Sequence, residues 1–554
     1  MTTHPPTGHP PTGHPSTGHP PPDAPAVLHG GELPGASVGT LGEVLERAAR
    51  GARGVVLVDG EGVSTSRSYR SLYEDADRVR AGLAAAGARP GARVILRTSS
   101  AADLLTAFWA CALGALVPLP VPSGTPADGL AEAVDAVGEA WLVGDDLPAG
   151  PPPGVRPAGP VSALRAAGPG TVPPVAAQPD DLAVLTLTSG SGGRPKAVPL
   201  THRHLIARAQ GTALARGLDE RTRSLNWMPL DHVSGIVMFH VRDVFLGCHQ
   251  VHADTAWVRA DPLRWLDLAS AGRIDTTWAP NPAFALVTDR LDRRPHRDWD
   301  LSRLRYVMNG GAPVKDRVVR RFVAALAPYG LPPGAVHPGW GMPETASGVV
   351  DSVFRPGDGP PRRFVPVGVP HPGVSVRVVD EQDRVLPAGR VGRLQVTGAP
   401  VVRAYLDGGG VRPAPHSADG WLVTDDLALV ADGELVVTGR ADGLVRLDGA
   451  AWYGHEIEDA VEELDCVLPA SAVARPVADG LAVFFRARPG TAPGRAEQLV
   501  RERVRGRFGA DAARVEALAE DELPRTATGK LRRSVLAARL PGARPRPRRP
   551  EREA

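Results

Sequence analysis

From Leu41 onward the chain alternates two patterns, and that alternation limits its fold more than any other feature. "LGEVLERAAR" and "DADRVRAGLAAAG" carry apolar residues at helical spacing, and the second gives way to a short buried-strand run at Val94-Ile95-Leu96. Helical stretches alternating with short apolar runs predict an α/β chain, with parallel sheets covered by helices. The most apolar segment, Leu104 to Val117, stops at Pro118 and is too short to cross a bilayer. It reads as a buried helix running into a strand. At 554 residues the chain exceeds the roughly 250–300 that one core serves, so two or more domains are expected.

Stretches of different composition frame this pattern. The first 25 residues contain "HPPTGHPPTGHPSTGHPPP", a five-residue repeat with nothing apolar to bury. Proline at this density blocks helices and sheet ladders, so residues 1–25 are expected to be disordered. His4, His9, His14 and His19 read as part of an inert polar tail. A large domain is expected over 30–440. Within it, the Pro/Gly-rich stretch 148–179 reads as a surface connection, and "DLAVLTLT" just after it as a buried strand. Short β runs ("VSVRVVD", "GRLQVTG", "GELVVTGR") make 374–440 a β-rich subdomain. A small α+β domain is expected over 441–540, with "GHEIEDAVEEL" as an amphipathic helix and "LAVFFRA" as a strand. The Pro/Arg/Glu-rich tail 541–554 is expected to be disordered.

The 63 basic and 61 acidic residues leave a net charge of +2, which argues against a nucleic-acid or membrane-surface protein. Cys111, Cys248 and Cys466 lie far apart, with no CxxC. That pattern suggests a reducing, cytoplasmic compartment and no structural zinc. The N-terminus lacks the charged start and apolar core of a signal peptide.

The strand at 182–187 feeds "TSGSGGRPKAV" (188–198). A Gly-rich loop leaves backbone N–H groups free to face an anion, and hydroxyls and a lysine add donors and charge. A P-loop would place Lys and Ser/Thr at the opening of a helix. Here Pro195 precedes Lys196 and biases Arg194 away from helix, and Ala197-Val198 follow. The loop is therefore either a phosphate cradle of another kind or a polar hairpin turn.

The motifs downstream narrow that choice. "MPLDHVSG" (228–235), "NGGAPV" (309–314), "GWGMPET" (339–345), "VGVPHPG" (367–373), "GWLVTDDL" (420–427), "GRADGLVRLDG" (439–449) and "PRTATGKLRR" (524–533) follow in fixed order. This series resembles the AMP-forming, adenylating superfamily: acyl-CoA synthetases, nonribosomal adenylation domains and fatty acyl-AMP ligases. The resemblance spans roughly 40–540. It implies a large N-terminal domain and a small, mobile C-terminal one. It also implies attack of a carboxylate on the α-phosphate of ATP, which brings two anions together. Positive charge and aimed N–H dipoles must offset that repulsion.

By the resemblance, Thr188, Ser189, Ser191 and Lys196, with the backbone of Gly190, Gly192 and Gly193, hold the β/γ-phosphates. Glu344 helps hold Mg²⁺, whose charge screens them. Trp340 packs on adenine between Gly339 and Gly341, and Gly310, Gly311, Ala312 and Pro313 approach its other side. Asp426 binds the ribose hydroxyls, Arg440 reaches ribose and phosphate, and Asp442 is the hinge. Lys530 bridges carboxylate and α-phosphate in the transition state. The chain departs from the family pattern at Gly192 (usually Thr), Ala197 (usually Gly), Trp340 (usually Tyr), Pro343 (usually Thr or Ala) and Asp425 (usually Gly). If the residue at 343 supplies a phosphate donor in relatives, Thr345 is the hydroxyl left to replace it.

The acid is less legible. His232 matches the histidine near the carboxylate in acyl ligases, on a spacing set by Pro229, Leu230 and Gly235. Asp231, one residue away, matches the aspartate that meets a substrate amine in nonribosomal adenylation domains. Ser234, Trp278, Asn281 and Asn309 are candidate pocket residues, with ordinary core as the alternative for Trp278. "WMPLDHVSGIVMFHVRDVFLGCHQVHA" and "TTWAPNPAFALV" resemble ligases that load polyketide and nonribosomal assembly lines. No carrier-type "GxDS" serine follows 533, so the expected acceptor is coenzyme A or the phosphopantetheine of an acyl or peptidyl carrier protein in trans. Two alternatives stay open: a stand-alone amino-acid-activating enzyme, and a non-catalytic relative, which Gly192 and Pro343 motivate.

Overall fold

A computed structural model describes residues 24–145, 150–166, 175–189, 195–293, 297–357, 359–408, 410–477, 480–526, 529, 531 and 536. The repeat at 1–23, Gly190, Ser191, Gly192, Gly193, Lys530 and the tail 541–554 lie outside them, as do the side chains of Ser189 and Pro195.

The expected parallel sheets are present. A nine-stranded sheet holds six parallel strands, in spatial order Val336–Met342, Tyr306–Gly310, Thr276–Ala279, Arg223–Asn226, His249–Ala253 and Gly54–Val58. Antiparallel strands close both edges: Ser347–Asp351 and Val369–Pro370 on one side, Ser64–Ser68 on the other. A second, four-stranded sheet is wholly parallel, with Arg93–Arg97 between Val117–Pro120 and Ala140–Gly144, and Val155–Gly159 at the far edge. In the second sheet Arg93–Arg97, Val117–Pro120 and Ala140–Gly144 are short, largely buried apolar runs, as a helix-covered parallel sheet requires.

Helices cover the sheets where the sequence pattern puts them. Leu41–Ala49 opens with a capping box: the Glu43 N–H donates to Thr40 Oγ1 at 3.3 Å, and the Thr40 N–H to Glu43 Oε2 at 3.3 Å. That arrangement satisfies two of the N–H groups a helix start leaves without partners. The helix buries Leu41, Val44, Leu45 and Ala48 on one face. Ala101–Leu113 is buried nearly all round and leads into Val117–Pro120. On another face of the large sheet, helices Leu263–Ala271, Asn281–Arg293 and Asp316–Leu326 meet through stacked rings. Phe284 and Phe322 lie 3.9 Å apart between centroids, and Trp265 lies 5.9 Å from each.

Two boundaries differ from the sequence reading. The ordered chain begins before residue 30: Val27–His29 pairs antiparallel with Val374–Val379, and Pro25 bridges to Pro387. Those last residues of the 1–25 segment adjoin an apolar strand that has a sheet to join. The stretch 148–179 is also more than a surface connection. Val155–Gly159 adds an edge strand, where its prolines cost no central ladder bond, and Val161–Ala166 forms a short helix.

The β-rich region forms a five-stranded antiparallel sheet, ending in Leu422–Ala431 paired with Glu434–Arg440. Beyond the turn Ala441–Gly443, residues from Val445 to Val515 build a hydrophobic cluster of their own, including Ile457, Val483, Phe485 and Val500. Ion pairs fasten this unit to the large one. Lys315 Nζ lies 2.9 Å from Glu462, Arg317 2.7 Å from Asp459, Arg363 2.6 Å from Glu456, and Arg488 3.0 Å from Asp289.

The ring stack generates a prediction. Phe284→Ala removes the middle of an aromatic cluster that cannot collapse around three separate helices. It should cost about 3–5 kcal/mol, the range for truncating a buried Phe, read as a lower denaturant midpoint. A midpoint unchanged within error would mean that the stack contributes nothing.

Candidate active site

Four of the sequence motifs leave the same edge of the large sheet. "MPLDHVSG" follows the strand ending at Asn226, Pro280-Asn281 the one ending at Ala279, Gly311-Ala312-Pro313 the one ending at Gly310, and Pro343-Glu344-Thr345 the one ending at Met342. The carboxyl ends of parallel strands are where open α/β sheets place ligands. Gly311 has φ +71°, a left-handed conformation that glycine adopts without strain, and it lies exposed with Pro313. Gly310, Gly339 and Gly341 have a different reason to lack side chains. A Cβ on Gly310 would meet Gly339 O at 2.6 Å, one on Gly339 would meet Met308 Cε at 2.7 Å, and one on Gly341 would meet Ser347 O. Their immediate constraint is close strand packing.

The strands on either side of the Gly loop, Leu182–Ser189 and Pro195–Thr201, pair antiparallel. Thr188 and Lys196 face each other in their register, with the Thr188 hydroxyl 3.5 Å from the Lys196 carbonyl. A third strand, Ala404–Asp407, lies alongside, with Leu406 opposite Ala197. This brings in a residue that the sequence reading missed. The Tyr405 hydroxyl donates to Glu344 Oε1 at 3.0 Å, and its ring centroid lies 5.3 Å from Lys196 Nζ. One tyrosine thus links the carboxylate to Lys196. "VVRAYLDG" carries no motif that announces it.

Glu344 is 7 % exposed. Burial pushes its carboxyl above the ordinary range, opposed by hydrogen bonds, including that from Tyr405, and by the Lys196 charge. Among the described residues no group of three or more His, Cys, Asp or Glu could hold a metal by itself. Mg²⁺ commonly takes one or two carboxylates and completes its shell with substrate phosphates and water. A single buried carboxylate close to Lys196 fits that mode.

A second cluster lies on the β-rich side. The Trp340 indole N–H donates to Asp426 Oδ2 at 2.8 Å. Burial raises the Asp426 carboxyl, and the bond from Trp340 opposes the rise. Trp in place of the usual Tyr therefore supplies a donor as well as a ring. Arg440 lies opposite Asp426 in the strand register and its charge acts on that carboxyl, but its hydrogen bonds go elsewhere. Its guanidinium donates to Asp425 at 3.0 Å and to Asp442 at 3.2 Å. Asp425, the departure from the family pattern, is the exposed member of the Asp425-Asp426 pair and holds Arg440 in place. Asp442, the expected hinge, is tied through Arg440 to the large domain.

Several expected pocket residues are engaged elsewhere. Thr345 is fully buried, and its hydroxyl lies 2.9 Å from Met342 O, 2.6 Å from Ser347 O and 3.0 Å from the Met342 N–H. It closes a local turn. Asn309 is wholly buried, donates to Ala279 O at 2.9 Å and accepts from Asn281 at 3.2 Å. It ties two strands together. Trp278 is buried in the hydrophobic cluster of Trp265 and Phe284, so the core reading holds for it. Ser234 orients its neighbour: its hydroxyl lies 2.7 Å from His232 Nδ1. The His232 side chain stays exposed, on the first turn of a helix that continues into a π-helical turn at Ile236–Val241. Asp231 is half-buried, and burial raises its carboxyl above the ordinary range.

Comparison with known proteins agrees with this geometry. Residues 44–406 match the family of AMP-binding enzymes. Aspulvinone E synthetase melA of Aspergillus terreus is 32% identical over 442 residues, covering 75% of this chain. The match takes in 47% of that relative, so the chain spans about half its length. Among solved structures, McyG A-PCP complexed with phenylalanyl-adenylate superposes with a TM-score of 0.86 at 29% identity, over 93% of this chain and 84% of that one. A multidomain structure of a keto acid-selecting NRPS module gives 0.85 at 32% identity, over 93% and 47%. The chain belongs to the AMP-binding enzyme family.

Proposed function

We propose that this protein activates a carboxylic acid with ATP, forming an acyl adenylate and pyrophosphate, and then passes the acyl group to a thiol. The observation that carries this reading is the convergence of Lys196, Tyr405 and Glu344 beside the paired strands that flank the Gly loop, near the linked Trp340–Asp426 pair. Lys196 and the loop N–H groups hold the β/γ-phosphates, and Asp426 accepts from the ribose diol. When bound, Mg²⁺ neutralises phosphate charge. Glu344 offers it a carboxylate that Tyr405 keeps from rotating, and Lys530 brings a mobile positive charge to the carboxylate and α-phosphate. A non-catalytic relative would have no use for this full set, so the departures at Gly192 and Pro343 do not favour that alternative.

The acid is proposed to lack an α-amine, with 2-oxo acids first in line. Two observations support this. Burial raises the Asp231 carboxyl above the ordinary range, so the site disfavours the charged form that an ammonium would pair with. One solved relative is described as keto acid-selecting. The competing reading, an amino-acid-activating enzyme, rests on the same Asp231 and on the relative complexed with phenylalanyl-adenylate. The proposed acceptor is coenzyme A or a carrier-protein phosphopantetheine, and the proposed location is cytoplasmic. No described helix is long and apolar enough to cross a membrane. The domain limits, 30–440 and 441–540, are part of the proposal, with the first extended to include Val27–His29.

ATP–pyrophosphate exchange across 2-oxo, aryl, hydroxy, fatty and amino acids tests the function. Lys530→Ala should lower exchange by about 10²-fold or more, as for loss of an electrostatic stabiliser, in kcat more than KM. Exchange within a few-fold of the parent would mean that another cation does this work.

Tyr405→Phe keeps the ring over Lys196 and removes only the hydroxyl. It should raise the KM for MgATP roughly tenfold or more, for one lost bond to a charged group. Calorimetric affinity for MgATP should weaken in parallel. Unchanged affinity would show that Glu344 needs no orientation.

Asp231→Asn should change kcat/KM little on the best acid, whereas His232→Ala should weaken it. A loss of roughly 10- to 150-fold at Asp231 with an indifferent His232 would move the protein to the amino-acid-activating branch.

A further inference from the structure

Strand His249–Ala253 carries two polar side chains, Gln250 and His252, into the core, where they join Tyr69, Trp109, Asn226 and His240 in one branched hydrogen-bond network. All six side chains are buried. The chemistry of the outer members fixes the direction of every bond. A carbonyl only accepts, so the Tyr69 hydroxyl donates to Cys248 O at 2.7 Å and accepts from Gln250 Nε2 at 2.6 Å. Gln250 Oε1 therefore faces the two histidines, 2.8 Å from His240 Nδ1 and 2.5 Å from His252 Nε2. The Trp109 indole, which only donates, meets His240 Nε2 at 2.8 Å, so the His240 proton sits on Nδ1. The Met228 N–H donates to Asn226 Oδ1 at 2.9 Å, which makes Asn226 Nδ2 the donor side of the amide. Its protons go to Met228 O at 2.9 Å and to His252 Nδ1 at 3.1 Å. His252 then carries its own proton on Nε2, toward Gln250. Each ring is neutral and held in one tautomer. Burial pushes both imidazoles down, His240 to about 4.

This network grips one stretch of chain at both ends. Residues 228–240 run from Met228, clamped by Asn226, to His240, inside the π-helical turn Ile236–Val241. Between the grips the chain folds tightly on itself. The His232 N–H donates to Pro229 O at 3.2 Å, and a Cβ on Gly235 would overlap that same oxygen. Asp231 and His232 lie in this stretch. His252 reaches both grips: it sits opposite Asn226 in the parallel pairing of the strands, and its Nε2 lies 3.2 Å from His240 Nδ1. A buried polar network whose members satisfy one another rigidifies what it joins. An apolar side chain at 252 would fill the core but could not accept from Asn226.

We propose that His252 is a positioning residue for the acid-binding loop, holding Met228–His232 in place through Asn226 and thereby setting the affinity for the acid. The inference rests on the proposed role of Asp231 and His232 at the acid.

The test is ATP–pyrophosphate exchange by the full chain with its best acid, in His252→Leu, His252→Asn, His252→Gln and Asn226→Asp. His252→Leu leaves an Asn226 proton without a partner. It should raise the KM for the acid roughly tenfold or more, while KM and calorimetric Kd for MgATP stay within about twofold of the parent. An Asn side chain places its oxygen where Nδ1 lies, so His252→Asn should recover most of the acid affinity. A Gln amide extends to where Nε2 lies, so His252→Gln should behave like His252→Leu. Packing alone predicts the reverse order, because Gln is nearer to His in volume. Asn226→Asp keeps the acceptor for the Met228 N–H and loses the amide donors. It should raise the acid KM as His252→Leu does, and it decides the matter if that variant does not fold. Parallel rises in both KM values, a loss confined to kcat, or better recovery by Gln than by Asn overturns the proposal. Exchange by the parent with indifferent variants sinks this inference alone. No exchange by the parent with any acid sinks the underlying function, and this inference with it.

Discussion

The parallel pairing of six strands in the large sheet is the constraint on which the rest depends. Parallel strands run the same way, so every loop leaving their carboxyl ends emerges on one edge. That edge gathers Asp231, Asn281, Gly311 and Glu344, residues that lie far apart in the chain. Covering helices make the sheet rigid, and the aromatic stack of Trp265, Phe284 and Phe322 locks three of them. A site that must hold two anions together gains from such a frame, because dipoles already aimed need no reorganisation during reaction.

Burial makes the same edge electrostatically sensitive. Glu344, Asp426 and Asp231 are all pushed toward their neutral forms by desolvation. For two of them the structure supplies a compensating donor, Tyr405 for Glu344 and Trp340 for Asp426. Among the described residues Asp231 has no such donor from another residue, only its own backbone. A half-buried carboxyl without outside support is where substrate chemistry has most influence, which is why Asp231 separates the two substrate classes.

The small unit has a hydrophobic cluster of its own but meets the large one through charge. Lys315 and Arg317 face Glu462 and Asp459, while Arg488 faces Asp289. Such pairs orient two surfaces and release them more easily than a buried apolar contact would, because water can replace each partner. Arg440 adds to this by holding Asp442 at the turn between the units.

Much of this protein was legible in its sequence. Helical spacing from Leu41 and the buried-strand runs are local properties, set by neighbours within a few residues, and each formed the element expected. The Gly loop and the ordered motifs likewise identified the family, because chain order survives in the text. Tertiary structure decided what depends on distant partners. Tyr405 gained its role only because Ala404–Asp407 pairs beside Pro195–Thr201, which sets it against Glu344, 61 residues away in sequence. The Thr345 hydroxyl found its backbone partners in its own turn. Trp109, Asn226, His240 and His252 read singly as ordinary core residues. Only the pairing of Arg223–Asn226 with His249–Ala253, and the helices packed over them, gathers these side chains. A hydrogen bond depends on distance in space, and sequence separation says nothing about that distance.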